Sequence, residues 1–279
     1  MKLLFTEFQN EHSDLESDHA KDFLWLNIRD LPYFRSLLRA VEAQFYKQVN
    51  LLAPTLDIGC GEGHFASLTF NRKIDVGLDP SRGSLHEASE RHAYQLLTEA
   101  DGGRMPYPGG YFASAFSNSV LEHIPHVEQV LEETARVLKP GALFVFCVPN
   151  HRFNESLSIS RGLERLRLTA LAKLYRTFFT YIARHRHLDS PEVWMARLAA
   201  AGFVVEKCWD YFPPKALAVL EWGHYLGLPS LLIRKLTGQW ILIPTYWNLM
   251  LTYRLLQPYA KAIASDNGVC TFYVARRMG

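Results

Sequence analysis

The stretch LDIGCGEGHFA, residues 56–66, decides how the rest of the chain is read. A short apolar run carrying one acid, Asp57, leads into glycines at 59, 61 and 63, and His64 then opens a helical pattern. A strand-to-helix turn of this kind lets backbone approach a ligand. The N-terminus of the helix behind it offers free N–H groups. A dinucleotide fingerprint needs G-x-G-x-x-G, but His64 stands at its third glycine position. A triphosphate loop needs G-x-x-x-x-G-K-[ST], which is absent. The loop therefore points away from pyrophosphate and triphosphate, and a nicotinamide oxidoreductase becomes a distant reading.

Working outward, strands and helices alternate. Strand patterns fall at residues 54–59, 73–79, 93–101, 111–118 and 142–150, most of them near-continuous apolar runs. Between them, GHFASLTF (63–70) reads as helix. HVEQVLEETARVLKPG (126–141) places Val127, Val130, Leu131, Val137 and Leu138 on one helical stripe before a Pro-Gly stop. Such alternation predicts a mainly parallel sheet covered on both faces. Two helices around Pro32 precede the first strand. Ser190, Pro191 and Gly202 frame a later helix as N-cap, first-turn proline and stop. A sixth strand follows it, and residues 268–277 form a seventh.

Two segments interrupt the pattern. Residues 151–187 carry Arg152, Arg161, Arg165, Arg167, Lys173, Arg176, Arg184 and Arg186 against Glu155 and Glu164, which predicts basic, partly amphipathic helix. Such a stretch suits an anionic membrane or an acidic substrate, or simply forms a solvated face. Residues 213–267 are rich in Leu, Ile, Trp and Tyr. Within them 236–253 is uncharged but is broken by Gln239, Pro244, Asn248, Thr237, Thr245 and Thr252. This reads as helices packed over the site or a surface-dipping lid rather than a span. Trp222, Tyr225, Trp240 and Trp247 are then expected to line an apolar ligand pocket.

The chain has 279 residues, 48% hydrophobic, with a net charge of +2, so a sizeable core is available and no basic excess calls for nucleic acid. Cys60, Cys147, Cys208 and Cys270 show no C-x-x-C pairing, so no disulfide framework or zinc site is expected, and the last three read as buried thiols. Residues 11–18 are polar and acidic, and the first sixteen turn acidic too soon for a signal peptide. A cytoplasmic setting, peripheral to a membrane if the cap meets lipid, is the expectation.

Three further features accompany the loop: VGLDPS, which ends the second strand in Asp79 followed by Pro80, EADGGRMPYP carrying Asp101 and Gly102, and SNSVLEHIPHVEQVLEETARVLKPGALFVFCVPN from 117 to 150. Together they closely resemble the class I S-adenosylmethionine-dependent methyltransferases, in the small-molecule, methyltransferase-11-like group. The resemblance spans about residues 50–150, and more loosely 187–212 and 268–277. It implies a Rossmann-like, doubly wound, seven-stranded α/β sheet whose last strand is antiparallel, with N-terminal helices and helical cap insertions. It further implies a division into 1–50 (N-terminal helices or lid), 51–150 (cofactor-binding core), 151–187 (basic cap), 188–212 with 268–279 (remainder of the sheet) and 213–267 (apolar cap).

The cofactor it implies is S-adenosylmethionine, contacted by Asp57, Gly59, Cys60, Gly61, Asp79, Pro80, Asp101, Gly102, Ser117, Asn118 and Ser119. Asp79 would take the ribose hydroxyls, Asp101 the adenine amino group and Asp57 the methionine amino group through water, with Met105 packing on adenine. Two departures from the family pattern are mild: Ala113 stands where an acid is common after Phe112, and Ala142 replaces a second glycine.

Glu122 and His123 lie beside the expected methionine end and read as organising the loop. His123 and His187 are the candidate bases if the acceptor needs one. His185, His187 and Asp189 form a pattern with metal-ligand residue types, but His at i and i+2 share no helical face, so no metal is expected. The strand end SNSV lacks the Asn-Pro-Pro-Tyr pattern of amino-directed nucleic-acid methyltransferases, so a small or lipid-like acceptor is expected. A non-catalytic protein that binds the cofactor or its demethylated product and acts through a partner is the alternative.

Overall fold

The computed structural model describes residues 21–279; the acidic run at 11–18 and the first sixteen residues lie outside the described residues. Two helices, α1 (Phe23–Ile28) and α2 (Tyr33–Tyr46), precede β1 (Thr55–Ile58). Then come α3 (His64–Thr69), β2 (Ile74–Asp79), α4 (Arg82–Glu90), β3 (Tyr94–Glu99), β4 (Phe112–Asn118), α5 (Val127–Val137) and β5 (Leu138–Pro149). The basic segment folds as α6 (Arg152–Glu155), α7 (Ser158–Arg165) and α8 (Thr169–Ala183). Next are α9 (Pro191–Ala200) and β6 (Phe203–Tyr211). The apolar segment forms α10 (Pro214–Leu226), α11 (Leu228–Thr237) and α12 (Tyr246–Leu256), and β7 (Cys270–Arg277) closes the sheet.

The seven strands lie in the order β3-β2-β1-β4-β5-β7-β6, parallel except for β7, which runs antiparallel to both neighbours. Strand alternation sends successive side chains to opposite faces. Phe144, Phe146 and Val148 enter a core with Val130, Leu131 and Trp194, whereas Val145 and Cys147 meet Phe45 and Tyr46 of α2 on the other side. Both faces are thus covered, which is why these strands read as continuous apolar runs. Strand order reverses between β1 and β4, and ligands of open α/β sheets bind at such a switch point.

The structure departs locally from the sequence reading. β5 begins at Leu138, already paired with Phe112, ahead of the Pro-Gly stop. Gly141, at φ 78°, absorbs the irregularity where the register shifts between Phe112 and Ser114. Ser190 stands at the N-cap position of α9 in extended backbone, but its side chain makes no capping bond. Cys208 is only half-buried, while Cys60, Cys147 and Cys270 are buried. The uncharged run 236–253 is not one helix: α11 ends with Gly238 in the left-handed region, and α12 starts only at Tyr246. Among the described residues no single helix is long and apolar enough to cross a membrane. The pair α10 and α11 reaches that composition only across a 52° bend.

Candidate cofactor site and its relatives

The switch point opens into a cavity of about 210 Å³ at the C-terminal ends of β1 and β4. Asp57, Gly59, Cys60, Gly61 and Asn118 line it, joined by His64 and Phe65 of α3. The loop is shaped by its own backbone. Gly59 and Cys60 donate N–H bonds to the Leu78 carbonyl, and Gly59, Gly61 and Gly63 all have positive φ, where only glycine is unstrained. The two central glycines differ in what they face. A Cβ on Gly59 would lie 2.4 Å from a Val120 methyl, whereas one on Gly61 would meet nothing within 4 Å. Gly59 is a packing glycine, and Gly61 leaves room for a ligand.

Asp79 stands beside this room. Its Oδ2 accepts from Gly61 N–H at 2.9 Å and its Oδ1 from Ser81 N–H at 2.9 Å, so the carboxylate is fixed in orientation with lone pairs to spare. Asp57 is buried and accepts a 2.6 Å bond from the Tyr94 hydroxyl. Burial pushes its pKa up to about 7, against the pull of Tyr94 and the nearby Arg39 guanidinium. Ser117 ties the floor together, its Oγ donating to the Ile58 carbonyl at 2.8 Å. Ser119 takes a positive φ of 52°.

The other expected residues lie farther out. Pro80 and Asp101 are exposed. Asp101 accepts from Gly103 N–H at 2.7 Å in its turn, and Gly102 packs toward Val130 and Ile58. None of the three lines the cavity. Met105 is buried in the core on the α5 side, which leaves little of it to pack on a ligand. His123 and His187 do not line the cavity either. The His123 ring stacks on His185 and its Nδ1 is 3.0 Å from the Arg184 carbonyl. His187 Nε2 lies 2.9 Å from the Ile124 carbonyl and its Nδ1 3.5 Å from Asp189. Glu122, between them in space, is buried with a pKa raised to about 8 by desolvation. Its backbone carbonyl accepts from the N–H groups of both Arg186 and His187, which fastens the loop.

Helix α2 contributes more than the loop reading foresaw. Arg35, Arg39, Glu42 and Tyr46 recur at i, i+4, i+7 and i+11, one face of a helix, and all four reach the strand ends. Tyr46 donates to the Ser117 carbonyl at 2.8 Å. Glu42, fully buried, accepts from Asn118 Nδ2, Ser119 Oγ and Tyr211 Oη, each at 2.9 Å. Arg35 and Arg39 line the cavity together with Arg234 from α11. Burial and the neighbouring guanidinium of Arg39 hold the pKa of Arg35 down to about 10. Arg35 and Arg234 each lie near Glu62, at 3.6 and 3.7 Å. Arg39, over the Phe65 ring, has no ion pair among the described residues. The sequence signal for this wall was the polar stripe on an otherwise apolar helix.

These residues suit a zwitterionic, ribose-bearing ligand such as S-adenosylmethionine: an open glycine face, acids at two strand ends and a guanidinium with no ion pair among the described residues. The comparisons with known proteins agree. A methyltransferase-domain family model matches residues 56–146. Trans-aconitate 2-methyltransferase of Methylobacterium nodulans is 30% identical over 203 residues, 67% of this chain and 73% of that protein.

The chain belongs to the class I S-adenosylmethionine-dependent methyltransferases.

Other relatives of this chain are matched over less of their length. The alignment with an uncharacterised methyltransferase of Mycolicibacterium gilvum covers 36% of that protein and 32% of this chain, at 33% identity. Fatty-acid O-methyltransferase of Mycolicibacterium smegmatis is 27% identical over 52% of this chain and 55% of its own. A crystal structure of a methyltransferase from Thermotoga maritima superposes with a TM-score of 0.55 at 16% identity, covering 99% of this chain and 100% of that one, which shows the shared fold.

Proposed function

We propose that this methyltransferase transfers the methyl group of S-adenosylmethionine in line to a small, apolar or lipid-like acceptor. The observation that carries the cofactor assignment is the open face of Gly61, flanked by Asp79 and Asp57 at adjoining strand ends. Asp79, with Pro80 beside it, would hold the ribose, and Asp101 the adenine edge. Asp57 would hold the amino group and Arg39 the carboxylate of the methionine part. Gly59, Cys60, Gly61, Gly102, Ser117, Asn118 and Ser119 would supply backbone and shape.

The sulfonium provides an activated methyl and a neutral leaving group. The task left to the chain is therefore to orient the acceptor and exclude water. An acceptor already ionised needs no base. His123 and His187 serve only if their segments move toward the cavity.

Support for an apolar acceptor comes from a second cavity, about 570 Å³, between α2, α10 and α12, lined by Tyr33, Val219, Trp222, Leu226, Leu255 and Leu256 with Lys215 as its single charge. Of the four aromatics expected in such a pocket, only Trp222 lines it; Tyr225 bonds Tyr175 and Trp240 lies under Arg234. A relative named for a fatty acid is compatible with such an acceptor. The acceptor would be drawn from the cytoplasm or from a membrane bordering it.

Calorimetric titration with S-adenosylmethionine, its demethylated product and NAD, followed by methyl transfer to a panel of long-chain and short polar acids, tests this reading. Binding of the first two ligands and turnover of a long-chain acid are expected. Failure of the sulfonium ligand to bind would overturn it. Tight binding without turnover on any acceptor would favour the alternative, a non-catalytic cofactor-binding protein.

A further inference from the structure

The cap segment is apolar both toward the domain, through α10 and α12, and toward solvent, through α11 and α12. Inward, Ala216, Leu217 and Leu220 of α10 and Leu249 and Leu256 of α12 are buried against the domain. Outward, α11 shows Leu228, Leu232 and Leu236 at i, i+4, i+8, and α12 shows Trp247, Leu251 and Leu255 with the same spacing. All six are more than half exposed, Leu236 and Trp247 to about three-quarters (76% and 74%). A helix that is hydrophobic on both sides is ordinarily covered on both, and large apolar side chains left this exposed in a row mark an interaction site.

Charge says what covers it. From Pro214 to Leu256 the single acid is Glu221, which is fully buried and accepts from Ser158 N–H at 2.5 Å and Tyr175 Oη at 2.7 Å. The cations left in solvent on and beside these helices are Lys215, Lys235, Arg254 and Lys261, all exposed and none in an ion pair among the described residues; the acids facing the helices are engaged, Asp22 accepting from Tyr253 Oη at 2.6 Å and Glu87 paired with Arg234 at 3.2 Å. Apolar stripes with exposed Trp and Tyr and adjoining unpaired cations, the neighbouring acids being engaged, complement an anionic lipid surface. A two-fold contact with a second copy would set the same cations against one another. A span is excluded by packing. At Gly223 a Cβ would lie 2.6 Å from Phe34 and 2.7 Å from Tyr33, so α10 is pressed onto α2 and stays with the domain.

We propose that α11 and α12, with the mouth of the apolar groove beside α10, dock this methyltransferase flat on the surface of an anionic bilayer. The docking holds whichever acceptor is methylated. Arg234, on the same helix as the outward leucines, lines the cofactor cavity, so the docked helix is also a wall of the site.

Sedimentation of the full chain with phosphatidylcholine vesicles, with and without phosphatidylglycerol, tests this. Binding is expected to need phosphatidylglycerol and to fall with salt. The pair Lys235→Glu and Arg254→Glu should weaken it by at least about fivefold per site. Trp247→Glu with Leu251→Glu should abolish it. Thermal melting and titration with S-adenosylhomocysteine establish that each variant is folded, and a failure of the cofactor reading would show in the titration alone. Equal binding to both vesicle types, wild-type binding by the variants, or no binding at all would overturn the proposal. So would a lipid-free dimer that Trp247→Glu dissolves, because a second copy would then cover the face.

Discussion

At the scale of single residues, the two glycines of one loop make opposite predictions. Gly61→Ala places a methyl in the open face of the cavity. It should cost about 1 kcal/mol of stability for its positive φ and remove most cofactor binding. Gly59→Ala drives a methyl into Val120, so it should lower the melting temperature more than Gly61→Ala does. Melting curves beside a titration with S-adenosylhomocysteine separate the two; equal stability loss would mean the loop relaxes around Val120. Asp79→Ala should weaken the same ligand ~10-fold or more, since charged hydrogen bonds contribute about 1.5–3 kcal/mol. Because Asp79 also holds the Gly61 and Ser81 N–H groups, Asp79→Asn, which keeps one acceptor, should recover part of the loss. Unchanged affinity in the alanine variant would remove Asp79 from the site.

At the scale of elements, α2 is the part of the site that sequence reading passed over. The strands were legible because burial on both faces leaves a run of apolar residues, and the glycine loop because three alternating glycines have few other uses. Arg35, Arg39 and Glu42 were not, because charged residues on a helix usually mark its solvated side. Nothing local says that this helix turns that side toward β4. Glu42 holding Asn118, Ser119 and Tyr211 is a contact across the whole chain. The breaks in 236–253 were legible as polar and proline interruptions, but the outward leucines were not, since periodicity alone cannot say which face a helix buries. The placement of Arg39 gives a direct test. Arg39→Ala should weaken S-adenosylhomocysteine by about tenfold while leaving 5′-methylthioadenosine, which lacks the carboxylate, unaffected. Equal losses for both ligands would reduce Arg39 to packing on Phe65.

At the scale of the whole molecule, the buried acids make stability depend on pH. Glu122 has a folded-state pKa raised to about 8, above its ordinary 4.5, with neighbouring Glu42 adding to the burial. Its neutral form is the one folding favours. The stability it lends is fully present below pH 4.5 and is lost as pH climbs through 8. Glu122→Gln, which cannot ionise, should therefore melt above wild type at pH 8.5, by roughly 2–4 °C for each kcal/mol recovered. The two should converge near pH 4. A constant difference across that range would mean the carboxyl is hydrated or paired in solution.

The antiparallel β7 bears on how the chain reaches this state. β6 touches the sheet only through β7, and β7 sits between β5 and β6. While residues 1–269 are being made, one edge of β5 and the edge of β6 have no partner strand, although the glycine loop and its acids are already complete. The nascent chain can then assemble a cofactor-ready half whose sheet is still unzipped on one side, and residues 270–277 act as the fastener. During synthesis that open flank, rather than the ligand site, presents the unpaired N–H and C=O groups of a strand edge, the kind of surface that invites mispairing.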